Sequence, residues 1–173
     1  QIALFSATMP SDVARLAGEI LNDPVRVEVS PRTITVDQVE QRVFFTDTPN
    51  KRSLLSHLLQ DADMSRVIVF LRTKRGASRL AEQLEREGFS TEAIHGNKTQ
   101  SARQSALTNF RNGRARLLIA TDVAARGIDI SGVTHVVNYE LPNIPESYVH
   151  RVGRTARAGA EGIAISLCDA SER

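Results

Sequence analysis

Residues 67–88 read V-I-V-F-L-R-T-K-R-G-A-S-R-L-A-E-Q-L-E-R-E-G, and this stretch decides the fold. Val67 to Phe70 is an unbroken apolar run, which suits a parallel strand covered on both faces better than a strand with one wet face. A basic loop follows, Arg72-Thr73-Lys74-Arg75. Ala77, Leu80, Ala81 and Leu84 then recur at the spacing of one helical face, and Gly88 stands where helices commonly stop. Strand, polar loop and amphipathic helix make one βα unit.

The same alternation extends in both directions. Val43 to Thr46 is a candidate strand, followed by a helix carrying Leu54, Leu55, Leu58 and Leu59. Thr91 to Ile94 reads as a strand, Gln100 to Arg111 as a helix stopped by Gly113, and Leu117 to Ala120, Val133 to Asn138 and Ile163 to Leu167 as further strands. This order predicts an α/β fold, a doubly wound parallel sheet with helices on both faces.

The first residues belong to something else. Gln1 to Phe5 and Val25 to Val29 read as strands flanking a helix whose apolar face is Val13, Leu16, Ala17, Ile20 and Leu21, one αβ layer that cannot enclose a core alone. Residues 30–41 hold Pro, Thr and charged side chains with little periodicity, as a linker does. The expected organisation is thus residues 1–29 as the tail of one domain, 30–41 as a linker and 42–173 as a second domain. The chain does not begin with Met, which reads as a piece of a longer protein.

With 41% hydrophobic residues, 173 residues can bury one good core. Net charge is only +2, yet 19 of the 22 basic side chains are Arg, the residue suited to bidentate phosphate contact. Aromatics are scarce, which disfavours recognition by base stacking and points any nucleic-acid contact to the backbone. Cys168 is the single cysteine, which excludes a disulfide framework or a thiolate metal cluster. No apolar run approaches the ~18 to 20 residues of a membrane span, and the first residues lack a signal peptide's pattern, so the expected location is cytoplasmic.

In a doubly wound sheet, ligands bind beyond the carboxyl ends of the strands. The polar signals gather there: Arg72 and Thr73 after the Val67 strand, His95 and Gly96 after the third, and A-T-D-V-A-A-R-G-I-D, residues 120–129, at the end of the fourth. Residues 148–159, Y-V-H-R-V-G-R-T-A-R-A-G, place Arg151, Arg154 and Arg157 at intervals of three, on or beside a helical turn. Three fixed cations on one face repel, so a packed domain keeps them together only opposite something anionic.

These blocks, in this order, resemble the motifs of DEAD-box ATP-dependent RNA helicases of the bacterial, RhlE-like kind. The resemblance covers nearly the whole chain and implies a RecA-like C-terminal domain of the P-loop NTPase type. It implies that Arg154 and Arg157 are arginine fingers reaching the γ-phosphate of ATP, that His150 couples the nucleotide site to neighbouring motifs, and that Asp129, with Gly127 in the same turn, meets the ribose. Arg72, Thr73, His95, Gly96, Gln100, Arg103, Thr121 and Arg126 are implied to hold the RNA backbone. Ser6 and Thr8, in S-A-T, and Arg151 are implied to couple the domains. Ala156 stands where many members have Gly.

No G-x-x-x-x-G-K-[ST] loop and no D-E-A-D sequence occurs. ATP and Mg²⁺ are therefore expected on the N-terminal RecA-like domain, and this chain supplies half a site, inactive alone. The expected partners are RNA and that domain, with no membrane and no metal held here. A non-catalytic nucleic-acid or protein-binding module of the same fold is the alternative, and a DNA-directed relative is a third possibility.

Overall fold

The computed structural model describes residues 1–6, 9, 11–28, 39–125, 130–156 and 161–172. The chain divides into two units, Gln1–Thr33 and Ile34–Arg173. In the first, helix α1 spans Ser11–Ile20 as expected, but none of its residues is buried. The two strands expected beside it are not strands over their described residues. Phe5 and Val25 are each about nine-tenths exposed. A strand is stabilised only by a hydrogen-bonded neighbour, and apolar content alone cannot supply one. Val29 lies outside the described residues.

The second unit is a six-stranded sheet among the described residues, built from β1 Val39–Phe45, β2 Val67–Leu71, β3 Thr91–Ile94, β4 Leu117–Thr121, β5 His135–Asn138 and β6 Gly162–Cys168. The spatial order is β1-β6-β5-β2-β4-β3 with every pair parallel. In register, Phe70 lies between Ala120 and Asn138, and Ile94 lies beside Ala120. The carboxyl ends of β2, β3, β4 and β5 are therefore level along one edge.

Among the described residues five helices connect the strands: α2 Lys51–Leu58, α3 Lys74–Arg86, α4 Gln100–Arg111, the short α5 Asp122–Ala125 and α6 Pro145–Val152. Helix α3 starts where the Thr73 hydroxyl accepts from Gly76 N–H at 3.0 Å, and α4 where Thr99 accepts from Ala102 N–H at 3.2 Å. Gly88 and Gly113 follow these helices at φ +92° and +74°, a conformation that glycine adopts at little cost.

One sheet face, with Val67, Val69, Leu117 and Ile119, packs on Leu55 and Leu59 of the α2 segment and Leu80 and Leu84 of α3. The other, with Ile68, Phe70, Leu118 and Val136, packs on Phe110 of α4 and Ala124 and Ala125 of α5. Each fully buried side chain of this size contributes ~1.5–3 kcal/mol, so both faces of the sheet stabilise the fold. Helix α6 is seated by a small third cluster of Val39, Val152 and Ala164.

Strand β1 begins three residues earlier than the boundary read at Arg42. Glu40, Gln41 and Arg42 are exposed because β1 is an edge strand with one neighbour, so no apolar pattern marks them.

Candidate functional site

At the carboxyl edge, a pocket is lined by Phe70, Asp122, Ala125, Ser147, His150, Arg151 and Arg154. Its back wall is Arg151, only 1% exposed. The Arg151 guanidinium donates from Nε to Asp122 Oδ1 at 2.6 Å and from Nη2 to Asp122 Oδ2 at 2.8 Å, a two-pronged pair. Nη1 donates to Asn138 Oδ1 at 3.1 Å and to the Glu140 carbonyl at 2.6 Å, and the cation sits 5.1 Å from the Phe70 ring centre. Asp122 is thus the anion that the spacing of the arginines demands. Arg151 is turned inward, so any coupling between domains must pass through the groups it holds.

Arg154 stands two residues past the end of α6 and donates from Nε to the His150 carbonyl at 3.2 Å, which sets His150 and Arg154 on the same pocket wall. The next residues form a tight corner. Thr155 donates its hydroxyl to the Val133 carbonyl at 2.6 Å, and Ala156 has φ +52°. An L-residue there costs ~1–2 kcal/mol, which gives the physical reason for glycine at this position. Gly162 lies against this corner so closely that a Cβ would meet Ala156 N at 2.6 Å. Arg157, Asp129, Gly127, Arg126 and Thr8 lie outside the described residues.

Along the same edge, Arg72 stands in the β2–α3 loop, where its backbone N–H donates to Glu140 Oε2 at 2.7 Å and its Nη1 to Asn143 Oδ1 at 3.2 Å. Thr73 is occupied as the cap of α3, and Thr121 is buried at the end of β4. Gln100 accepts from Arg103 Nη1 at 3.2 Å in the first turn of α4, and Arg103 Nε is buried without a hydrogen bond. Gly96 is exposed and lets Lys74 lie across it; a Cβ there would sit 3.1 Å from Lys74 Cε. Ser6 is exposed in the first unit.

His95 is placed differently from an open ligand-binding ring. It is 4% exposed, its Nδ1 accepts from Asn97 N–H at 3.3 Å, and its Nε2 is 2.7 Å from Ser78 Oγ. Nε2 therefore carries the proton and donates to Ser78, tying α3 to the end of β3. Burial, with Lys98 and Lys74 adding, lowers its pKa from 6.5, and burial likewise lowers that of His135. Both rings stay neutral in the fold while the unfolded chain protonates near 6.5, so stability falls as pH drops below about 6.5 towards the lowered folded-state values. A denaturant midpoint lower at about pH 5.5 than at about pH 7.5, with the difference reduced in His95→Gln, is the expected result; equal midpoints in the wild-type chain count against it.

Residues 50–159 match the helicase conserved C-terminal domain family. This chain belongs to that family. Within it, the relatives are DEAD-box proteins: the chain is 46% identical over 167 residues to the DEAD-box ATP-dependent RNA helicase CshA of Geobacillus kaustophilus, covering 96% of this chain and 36% of that protein. The chain spans about a third of the length of the curated relatives it matches. Among solved structures, the E. coli DEAD-box protein SrmB, bound to regulator of ribonuclease activity A, aligns with TM-score 0.75 at 41% identity over 78% of this chain and 80% of that one. S. cerevisiae Dbp5, bound to RNA and ADP BeF3, aligns with TM-score 0.79 at 34% identity over 95% of this chain and 44% of that one. The sheet is RecA-like, as in these helicase C-terminal domains.

In this helicase domain, reasoning from sequence gave Asp122, Asn138 and Glu140 no role. Asp122 carried a signal, since it stands within the 120–129 block, but its partner is 29 residues away. A buried cluster also went unread: Lys51 bonds the Tyr139 carbonyl at 3.1 Å and pairs with Asp169 at 3.1 Å and with Glu172. Hydrogen bonds from Ser171 and Thr48 hold the Asp169 carboxyl far below the usual carboxylate range.

Proposed function

We propose that this chain is the C-terminal RecA-like half of an ATP-dependent RNA helicase, with residues 1–29 ending the N-terminal domain, a linker running from residue 30 to the start of β1, and β1 onward forming the C-terminal domain. The carrying observation is the carboxyl-edge pocket, where the Arg151–Asp122 clamp backs His150 and Arg154. A chain 46% identical to a DEAD-box ATP-dependent RNA helicase has a use for fixed cations there.

The residues present fit one side of a nucleotide. Arg154 and Arg157 would supply positive charge to the γ-phosphate, His150 would link them to the rest of the edge, and Asp129, beside Gly127, would accept from the ribose. Mg²⁺ and the triphosphate cradle are assigned to the N-terminal domain, because the present sequence carries neither a Walker loop nor a D-E-A-D run to hold them. Ser6, Thr8 and Arg151 would couple the two domains, Arg151 through Asp122 and the α6 turn.

RNA would run along the same edge past Arg72, Thr73, Gly96, Gln100, Arg103, Thr121 and Arg126, with His95 shaping its loop from inside. Contacts to phosphates and 2′-hydroxyls would be largely independent of sequence, and closure of the two domains on one strand would separate it locally from its complement. Dbp5, solved with RNA and ADP BeF3, supports both ligands. No described helix is long and apolar enough to cross a membrane, which is compatible with a cytoplasmic helicase.

The test is ATP turnover. The full-length protein is expected to hydrolyse ATP faster with RNA than with DNA of equal length, while the 173-residue chain alone shows none. Robust hydrolysis by the chain alone, or equal stimulation by DNA, would remove this reading. The second reading is a non-catalytic nucleic-acid or protein-binding module of the same fold; SrmB, solved with a protein regulator, supports protein binding by a relative and leaves catalysis to the assay. Full-length protein without RNA-dependent turnover would select this second reading.

A further inference from the structure

Between the α6 arginines and the β2–α3 loop runs the segment Tyr139–Leu141, and every one of its residues is held. Tyr139 N–H donates to the Phe70 carbonyl at 3.1 Å, the Tyr139 carbonyl accepts from Lys51 Nζ at 3.1 Å, and Leu141 N–H donates to Glu172 Oε1 at 2.9 Å. Glu140, in the middle, accepts in two directions. Its carbonyl takes Arg151 Nη1 at 2.6 Å, and its carboxylate takes the Arg72 backbone N–H at 2.7 Å while lying 3.7 Å from Arg72 Nε.

We propose that Glu140 is a positioning residue that ties the RNA-facing β2–α3 loop to the Arg151–Asp122 clamp behind the nucleotide-facing pocket. The inference rests on the helicase function proposed above. An ionised acceptor on a backbone donor is a stronger bond than a neutral one, and here it fixes the loop at the residue before the cap of α3. Glu140 also orients the Arg72 side chain, whose guanidinium lies 3.6 Å from Glu172 and 3.2 Å from Asn143 Oδ1. Arg72 and Arg151 are thus both held by one residue, so a displacement of α6 reaches the loop through Glu140 alone, from its carbonyl to its carboxylate. Glu140 itself need not touch RNA or ATP.

The experiment uses the full-length protein with Glu140→Ala and Glu140→Gln, reading ATP turnover against RNA concentration. Glu140→Ala is expected to raise the half-saturating RNA concentration about tenfold, the effect of one charge-assisted hydrogen bond, with kcat at saturating RNA within about threefold of wild type. Glu140→Gln keeps an oxygen for the Arg72 amide and is expected to stay within about threefold on both. Hydrogen exchange on the 173-residue chain reads the geometry directly: the Arg72 amide should exchange faster in Glu140→Ala and be rescued in Glu140→Gln. An unchanged RNA half-saturation in Glu140→Ala overturns the inference alone. So does a parallel loss of kcat and melting temperature in both variants, which marks general destabilisation. A wild-type protein without RNA stimulation overturns the function and the inference together.

Discussion

Arg154→Ala in the full-length protein is expected to lower RNA-stimulated ATP turnover by about 10³- to 10⁵-fold, the usual contribution of an arginine finger. The expectation rests on the finger role proposed above, and the placement of Arg154 supports it. Arg154 leaves the end of α6 with its Nε on the His150 carbonyl, 3.2 Å away, which holds the side chain on the pocket wall it shares with His150. Behind it, Arg151 is closed onto Asp122, so the turn carrying Arg154 is anchored before any ligand arrives. A charge already held in place stabilises a transition state without reorganisation at the moment of reaction. Arg154→Lys keeps the charge and loses the planar fork, so most of the loss should persist. Single-turnover hydrolysis with saturating RNA measures this, and a loss smaller than about tenfold for the alanine variant would remove the finger assignment.

Asp122→Ala is expected to destabilise the domain strongly. It leaves the Arg151 guanidinium, 1% exposed, with neutral acceptors only. Removing one partner of a buried pair typically costs ~3–5 kcal/mol, and the Asp122 side chain, 32% exposed, places this case towards ~3 kcal/mol. Against a typical domain stability of ~5–15 kcal/mol that is a large share. Asp122→Asn retains an oxygen facing Arg151 and should lose roughly half as much. Urea unfolding of this chain reads both, and a shift below about 1 kcal/mol for Asp122→Ala would mean that Arg151 is satisfied without the carboxylate.

Strands β2 to β6 were legible within about two residues at each end because short runs bounded by turns and helices, most of them rich in Val, Ile and Leu, suit buried strands better than helices. Helices α3 and α4 were legible because their stops, Gly88 and Gly113, act within a turn of themselves; the caps Thr73 and Thr99 are equally local but went unread. Edge strand β1 was half legible, since Glu40, Gln41 and Arg42 face water and carry no pattern. The strands expected at Gln1–Phe5 and Val25–Val29 failed for the opposite reason: the apolar residues are there, with Phe5 and Val25 exposed, and pairing cannot be read from them.

The candidate site divides in the same way. That charged loops would line up on one edge followed from strands of one direction, each ending in polar residues. Spacing alone made the three arginines equivalent, and only the resemblance set Arg151 apart; in the fold Arg151 is buried against Asp122 while Arg154 lines the pocket. His95 looked like an edge ligand and is a buried, neutral tie between β3 and α3.

Taken alone, then, the order of residues determined the element types, the alternation that requires a parallel sheet and the edge on which chemistry gathers, because each depends on neighbours within one turn or one strand. Tertiary structure alone decided the strand order, the burial of Arg151 against Asp122, and the Lys51–Asp169–Glu172 cluster, whose partners stand 121 residues apart in the Thr48–Asp169 and Lys51–Glu172 contacts. Such pairings are set by which surfaces meet when the sheet closes on its helices, and no local preference of Asp, Glu, Lys or Arg encodes the partner across that distance.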